Sequence, residues 1–227
     1  MRKVRTQVTD APARRRLVTA LTFAATPVLI AGASLALLFN PWWVLPAQQR
    51  AGVAAITGLP QAEVARVTTA IIADVTVGPP DFAVAIDGAP VLDTAERGHM
   101  RDVYGVLRVF AGLVVLAGVT LAVLGIRHRG DGWWWRAVAR AGLATAAVGV
   151  VTGVLFAAFF DAAWPAFHAV FFPQGNSSFD PRVERLTQLF PTPFWTDAAT
   201  TVFAAGVLIA VVVWLIARRL GSGLDAT

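Results

Sequence analysis

Val109-Phe-Ala-Gly-Leu-Val-Val-Leu-Ala-Gly-Val-Thr-Leu-Ala-Val-Leu-Gly-Ile126 carries no charged side chain, and Arg127-His128-Arg129 follows it at once. A helix needs about 20 apolar residues to cross about 30 Å of hydrocarbon, so this run reads as a membrane span. Upstream, Asp93-Thr94-Ala95-Glu96 sets an N-cap oxygen three residues before a glutamate, the pattern of a capping box. The spacing predicts a helix that starts near Thr94 and runs unbroken into the span. Three more uncharged windows qualify: Leu17–Phe39 (in which Pro27 predicts a kink), Ala141–Phe160 and Ala198–Ala217. With their shoulders, the four spans cover about 17–39, 103–126, 139–160 and 198–217, leaving segments 40–102 and 161–197 on one side of the membrane.

Composition agrees. Of the 227 residues, 56% are apolar and only 15% charged, with a mean hydropathy of +0.63. Soluble domains carry about 25% charged residues, so the composition is that of a polytopic membrane protein and not of a cytosolic enzyme. The chain has no cysteine, which excludes disulfides, thiolate metal sites and a cysteine nucleophile. The expected fold is all-α: a single integral membrane domain of four transmembrane helices under a small extracytoplasmic cap.

Charge position gives the sidedness. With the N-terminus inside, the inner segments hold Arg2, Lys3, Arg5, Arg14, Arg15, Arg16, Arg127, Arg129, Arg136, Arg140, Arg218 and Arg219, against Asp10, Asp131 and Asp225. The outer segments, with the outer end of the second span, hold the other 7 basic residues and 11 acidic ones. This bias predicts both termini in the cytoplasm and explains the net charge of +5 as a topology signal, with no nucleic-acid partner. The tryptophans follow the same frame. Trp42, Trp43, Trp164 and Trp195 fall near outer span ends, and Trp133, Trp134, Trp135 and Trp214 near inner ones, where amphipathic indoles are favoured. The first apolar run exceeds the 7–15 residues of a signal peptide, so an uncleaved anchor is expected.

In the first outer segment, Ala51–Ala73 reads as an amphipathic helix after Pro60. Phe82–Ile86, Asp87-Gly88 and Ala89–Leu92 read as a short hairpin, since Asp-Gly suits a tight primed turn. Asp161–Asp197 is rich in aromatics and prolines and is expected to pack on the membrane surface. There is no internal repeat.

Three histidines are candidates for chemistry. His128, between two arginines, reads as a solvated part of the basic loop. His99 shares a helix face with Glu96 and Asp102. A carboxylate beside an imidazole suits a general base, but a juxtamembrane cluster that solvates a helix end has the same pattern. Arg97, Arg101, Tyr104 and Arg108 form a second stripe able to hold phosphate or glycerol oxygens. His168 lies among apolar residues, with Asp161 two turns earlier; an interfacial ring at headgroup level is the alternative. His168 stands about 12 Å beyond Phe160, and His99 about 6–15 Å above the second span, at 1.5 Å per residue. Both therefore reach the outer headgroup layer, where lipid esters lie.

Other chemistries find little footing. There is no His-Glu-x-x-His pair and no Gly-x-Ser-x-Gly elbow. His99, His168 and a carboxylate also make an acceptable metal-ligand set. No span centre carries an ionisable residue, which argues against an ion transporter.

Glu96-Arg97-Gly98-His99-Met100-Arg101-Asp102-Val103 resembles the Glu-Arg-x-His-Met-x-Asp-Val signature of the bacterial lipoprotein intramolecular transacylase (Lit) family. Phe167-His168-x-x-Phe171-Phe172, Phe179-Asp180-Pro181 and Phe190-Pro191-x-Pro193-Phe194-Trp195-x-Asp197 resemble its second motif. That motif departs at Asn176-Ser177-Ser178, where the family pattern has Asn followed closely by Trp. The resemblance implies an acyltransferase of the bacterial cell envelope, without cofactor or metal. Its reaction moves the sn-2 acyl chain of a lipoprotein's S-diacylglyceryl cysteine onto that cysteine's α-amino group, giving lyso-form lipoprotein. Its partners would be diacylglyceryl-modified lipoproteins and membrane lipids. It implies His99 and His168 as the catalytic pair; from the residues themselves Asp102 or Glu96 is expected to orient His99, and Arg97, Arg101, Tyr104, Asp161 and Asn176 are the candidates for holding substrate. A non-catalytic lipid- or lipoprotein-binding protein and a metal-dependent membrane hydrolase are the rival functions.

Overall fold

The computed structural model describes the backbone of residues 4–224 and the side chains from Pro12 onward. Arg2, Lys3, Arg5, Asp10 and Asp225, counted in the charge asymmetry, fall outside the described side chains. Four helices are long and apolar enough to cross a membrane. They are α1 (Val4–Leu35), α5 (Thr94–His128), α6 (Gly132–Ala158) and α9 (Thr192–Leu224). Each begins before its apolar window; α5 and α9 also pass the end of it, whereas α1 gives way to a 3-10 turn after Leu35 and α6 ends at Ala158, and α1 continues through Pro27. The protein is an integral membrane protein of four apolar helices.

Two compact units can be distinguished. The first takes residues up to Ser34, Ala111–Val151, and the chain from Ala204 on. Small residues let its helices approach closely. A Cβ at Gly142 would lie 3.0 Å from the Ala210 carbonyl oxygen and 3.2 Å from the Trp214 nitrogen, both backbone atoms of α9. Ile30, Ala146 and Ala210 are packed together, and Val18, Leu124 and Trp134 form a second cluster. Thr22, Thr26 and Ser34 are buried, yet each hydroxyl donates to the carbonyl one turn earlier at 2.8 Å, so none is left unpaired. His128 belongs to this unit and is not solvated: its ring is buried and Nδ1 pairs with Asp131 at 2.7 Å.

The second unit comprises Leu35–Phe110 and Thr152–Phe203. Its short helices are α2 (Pro41–Arg50), α3 (Val53–Thr57), α4 (Gln61–Thr76), α7 (Phe160–Phe171) and α8 (Arg185–Leu189). Strands β1 (Ala85–Ile86) and β2 (Ala89–Pro90) pair antiparallel. Asp87 and Gly88 have φ of 50° and 81°, the positive pair that a primed turn requires. The expected amphipathic helix is split, because Gly58 takes φ 69° and ends α3 before Pro60 opens the way for α4. Helix α2 was not foreseen; the Asn40 side chain caps it by accepting from the Trp42 amide, and Pro41 occupies its first turn.

Val53, Val64, Val67, Ile71, Phe82, Leu92, Met100 and Leu189 form the core of this unit. Gln48 is fully buried and ties three elements, donating to the Leu189 carbonyl at 2.8 Å and accepting from the Thr68 hydroxyl at 3.0 Å. Only Phe159 separates α6 from α7. The second outer segment is therefore helical where it begins.

Candidate active site

Helix α5 starts at Thr94, one residue after its N-cap. The Asp93 carboxylate accepts the Glu96 amide at 2.8 Å and the Glu96 carboxylate accepts the Asp93 amide at 2.7 Å. This reciprocal pair is the capping box expected from the spacing. The other Glu96 oxygen accepts the Leu186 amide of α8 at 2.6 Å, and the side chain is 2% exposed. Both oxygens are thus spent on backbone amides, which anchors the first turn of α5 against α8.

One turn on, His99 is 6% exposed. Its ring packs on Phe172, with centroids 4.7 Å apart, and on Phe179 at 5.5 Å. The His168 ring lies 6.1 Å away at an interplanar angle of 27°. The structure thus brings together two histidines that are far apart in sequence. The second is fixed by its own helix: His168 Nδ1 lies 3.0 Å from the Trp164 carbonyl oxygen. A carbonyl can only accept, so Nδ1 carries the hydrogen and Nε2 of the neutral ring holds a lone pair. Trp164 also meets the His168 ring edge-on at 4.5 Å. Asp161, in the exposed first turn of α7, is not the group bonded to Nδ1.

Asp102 lies on α5 a turn beyond His99. Its Oδ2 accepts the Asn176 amide at 2.6 Å and the Gln174 amide at 2.9 Å. The loop after α7 is bound to α5 in this way, with Gly175 at φ 76° shaping the turn between the two amides. Asn176 also neighbours His99 as a hydrogen-bonding group. Nδ1 of His99 and Oδ1 of Asn176 are buried and unpaired among the described residues. One can donate and the other only accepts, so they are matched in kind. Asn176 therefore faces protein groups on two sides, where the sequence pattern suggested substrate.

The chain after Phe179 is bonded within itself. The Asp180 carboxylate accepts both the Arg182 guanidinium, at 2.6 Å, and the Arg182 amide, at 2.9 Å. Arg182 keeps the Asp180 carboxyl below the usual carboxylate range, first through the side-chain bond and then through the backbone one. The Asp180 amide donates to Glu184.

The remaining candidates are scattered. Arg97 donates to the Asp81 carbonyl at 2.8 Å, away from the rings. The ring of Tyr104 packs against the core of this unit and lies 5.6 Å from the Arg108 guanidinium carbon. Arg101 is exposed and acts on Asp102 by charge. Among the described residues no group of three or more His, Asp or Glu side chains is placed to hold a metal ion. Phe172 and Phe179, quoted as motif positions but not as site residues, pack on His99, and Gln174, which had not been singled out, joins the site through Asp102. For Gln174 the available signal was its place two residues before Asn176, between Phe172 and Phe179.

Comparison with known proteins agrees with this layout. Residues 19–195 match the family described as Lipoprotein intramolecular transacylase Lit. No curated protein matches the chain. The fold is that of the membrane integral lipoprotein intramolecular transacylase Lit from Bacillus cereus, with a TM-score of 0.80 at 16% identity over 95% of this chain and 100% of that one. Two variants of that protein, with one histidine replaced by arginine or by alanine, match with TM-scores of 0.76 and 0.77, each at 16% identity. They cover 98% and 97% of this chain, and 98% and 100% of their own. Four helices apolar and long enough to cross a membrane, a pair of facing histidines and a family match over most of its length lead to one conclusion: the chain belongs to the lipoprotein intramolecular transacylase Lit family and is a membrane acyltransferase.

Proposed function

We propose that the protein moves the sn-2 acyl chain of a lipoprotein's S-diacylglyceryl cysteine onto the α-amino group of the same cysteine, leaving lyso-form lipoprotein. The observation that carries this reading is the facing pair of His99 and His168, with His99 nearly shut from water. In the same reading the spans 17–39, 103–126, 139–160 and 198–217 cross the bilayer, both termini are cytoplasmic, and 40–102 and 161–197 hold the site on the extracytoplasmic face. Diacylglyceryl-modified lipoproteins and membrane lipids are then its partners.

The reaction needs no acyl-enzyme. Attack of the amine on the ester carbonyl closes a ring through N, Cα, Cβ, S, two glycerol carbons, the ester oxygen and the carbonyl carbon. Such a ring closes slowly when free in solution, so holding the amine against the ester supplies much of the acceleration. A proton must leave the nitrogen and another must reach the glycerol oxygen as its bond to carbon breaks. Two imidazoles suffice. His99 takes the amine proton, and the imidazolium so formed is stabilised by Asp102 acting through Asn176, as a carboxylate steadies a catalytic histidine elsewhere. His168, its Nδ1–H held by the Trp164 carbonyl, acts from Nε2 and, when protonated, delivers the second proton to the glycerol oxygen. Arg101, exposed beside Asp102, is available to the oxyanion.

The test is a synthetic diacylglyceryl lipopeptide offered to the purified protein. The free-amine peptide should lose its reactive amino group with time, and the same peptide with its amine acetylated should be unchanged. Release of free fatty acid from either peptide would mean hydrolysis and overturn the transacylase reading.

A further inference from the structure

We propose that Trp195, in the first turn of α9, is a positioning residue for His168 and acts on it through the Trp164 ring. This deepens the transacylase reading, in which His168 works from Nε2, and rests on it. Helix α7, which carries His168, has no buried residue, so the enclosure that fixes His99 does not fix its partner. Pro165 inside α7 also lacks the amide that would bond the Asp161 carbonyl, which leaves the backbone beside Trp164 one helix bond short. The seat of α7 therefore falls to its aromatic rings. Phe160 meets Phe156 of α6 at 5.5 Å, which holds only the start of the helix. Beside His168 the contact with another element is that of Trp164 on Trp195, with ring centroids 4.8 Å apart.

Trp164 is the junction. Its carbonyl accepts from His168 Nδ1 at 3.0 Å, and its indole meets the imidazole edge-on at 4.5 Å. The rings of Phe160 and Phe167 stack on it at 5.6 and 5.9 Å, but both belong to α7 and so cannot seat it. Trp195 is anchored elsewhere. Its neighbour Phe194 is 3% exposed and packed with Val44, Ala47 and Ala198, and Asp197 accepts from Arg50 of α2 at 3.1 Å. A ring held by α2 and α9 thus sets the height and tilt of Trp164, and Trp164 sets both the hydrogen bond and the flank of His168. Aromatic pairs prefer defined geometries, so the contact fixes orientation as well as distance. A tryptophan that only anchors a helix at headgroup level needs no such partner. Trp42, 63% exposed, is such a residue and serves as the control.

The test pairs kinetics on a diacylglyceryl lipopeptide with ¹⁵N NMR of the full chain labelled at histidine, in alkaline buffer, where H168Q assigns the His168 signals among the three rings. W195A should lower kcat by about 10–100-fold, the scale of a misplacement by about 1 Å, with KM changed less than about threefold. W195F should restore most of the rate, and W42A should match the wild type. In the spectra, wild-type His168 should show the single neutral tautomer with hydrogen on Nδ1, and W195A a mixture of both. Where W195A fails to insert, W195L keeps apolar bulk without the flat ring and makes the same comparison. Unchanged kcat in W195A, a loss of rate with the tautomer unchanged, or an equal loss in W42A would overturn the proposal. Fatty-acid release by the wild type would instead sink the transacylase reading, and the tautomer spectra would still decide whether Trp195 positions His168.

Discussion

Asn176 donates to Asp102 at 2.6 Å, and this bond ties the loop after α7 to the helix that carries His99. The same side chain leaves its oxygen unpaired next to a histidine whose Nδ1 is also unpaired. Asp102, Asn176 and His99 therefore form a row in which an amide stands between carboxylate and imidazole. In the proposed reaction that row gives Asn176 a positioning role.

Breaking the row should slow chemistry more than binding. N176A is expected to lower kcat by about 10–100-fold, the scale seen when a histidine loses its supporting partner, with KM changed far less. N176D sets two carboxylates in contact and should fare no better. Steady-state kinetics on a diacylglyceryl lipopeptide measures the split, and an unchanged kcat in N176A would remove Asn176 from the account.

Glu96 stands in the same signature but is committed to backbone amides. E96A leaves the buried Leu186 amide without its acceptor, at about 1–3 kcal/mol, and also removes the capping-box acceptor of the exposed Asp93 amide. E96Q keeps an acceptor and should lose less, with activity retained per folded molecule. Denaturation in detergent alongside turnover separates the two. An E96Q protein of full stability and no activity would give Glu96 a chemical role.

Arg97 is bound to the Asp81 carbonyl. R97Q should therefore change kcat by less than about threefold, in keeping with the small worth of exposed charged contacts. A loss as deep as that of a histidine variant would bring Arg97 to the substrate.

Gly142 lies where α6 meets the backbone of α9. G142A should destabilise the first unit by about 1–3 kcal/mol through overpacking, and G142V by more. G112A, with open space around its new methyl, should be neutral within about 0.5 kcal/mol. Thermal melts of the two variants give the comparison.

The long helices were legible because a membrane span depends on little beyond length, hydrophobicity and flanking charge, and the start of α5 because Asp93 and Glu96 form a local box. Helix α2 was not foreseen: it carries Pro41 and Pro46, and Pro41 sits in a first turn where its missing amide costs nothing. His128 was misread because its partner Asp131 and the Trp133 ring 5.1 Å away bury it by packing. At the site, the pair His99 and His168 could be named from the signature and from their common height, but not their separation. The roles of Glu96, Arg97 and Asn176 turned on Leu186, Asp81 and Asp102, partners that only the folded chain brings near.

Tandem mass spectrometry of lipoprotein N-terminal peptides tests the central claim most directly, using a host without other N-acylation. Acyl migration leaves the total mass unchanged, so the fragments must locate the chain. With the wild-type protein the acyl group should be found on the cysteine nitrogen, and with H99A or H168A, each shown to be inserted, on glycerol. Acyl remaining on glycerol with the inserted wild type, or reaching nitrogen with H99A, would contradict the account.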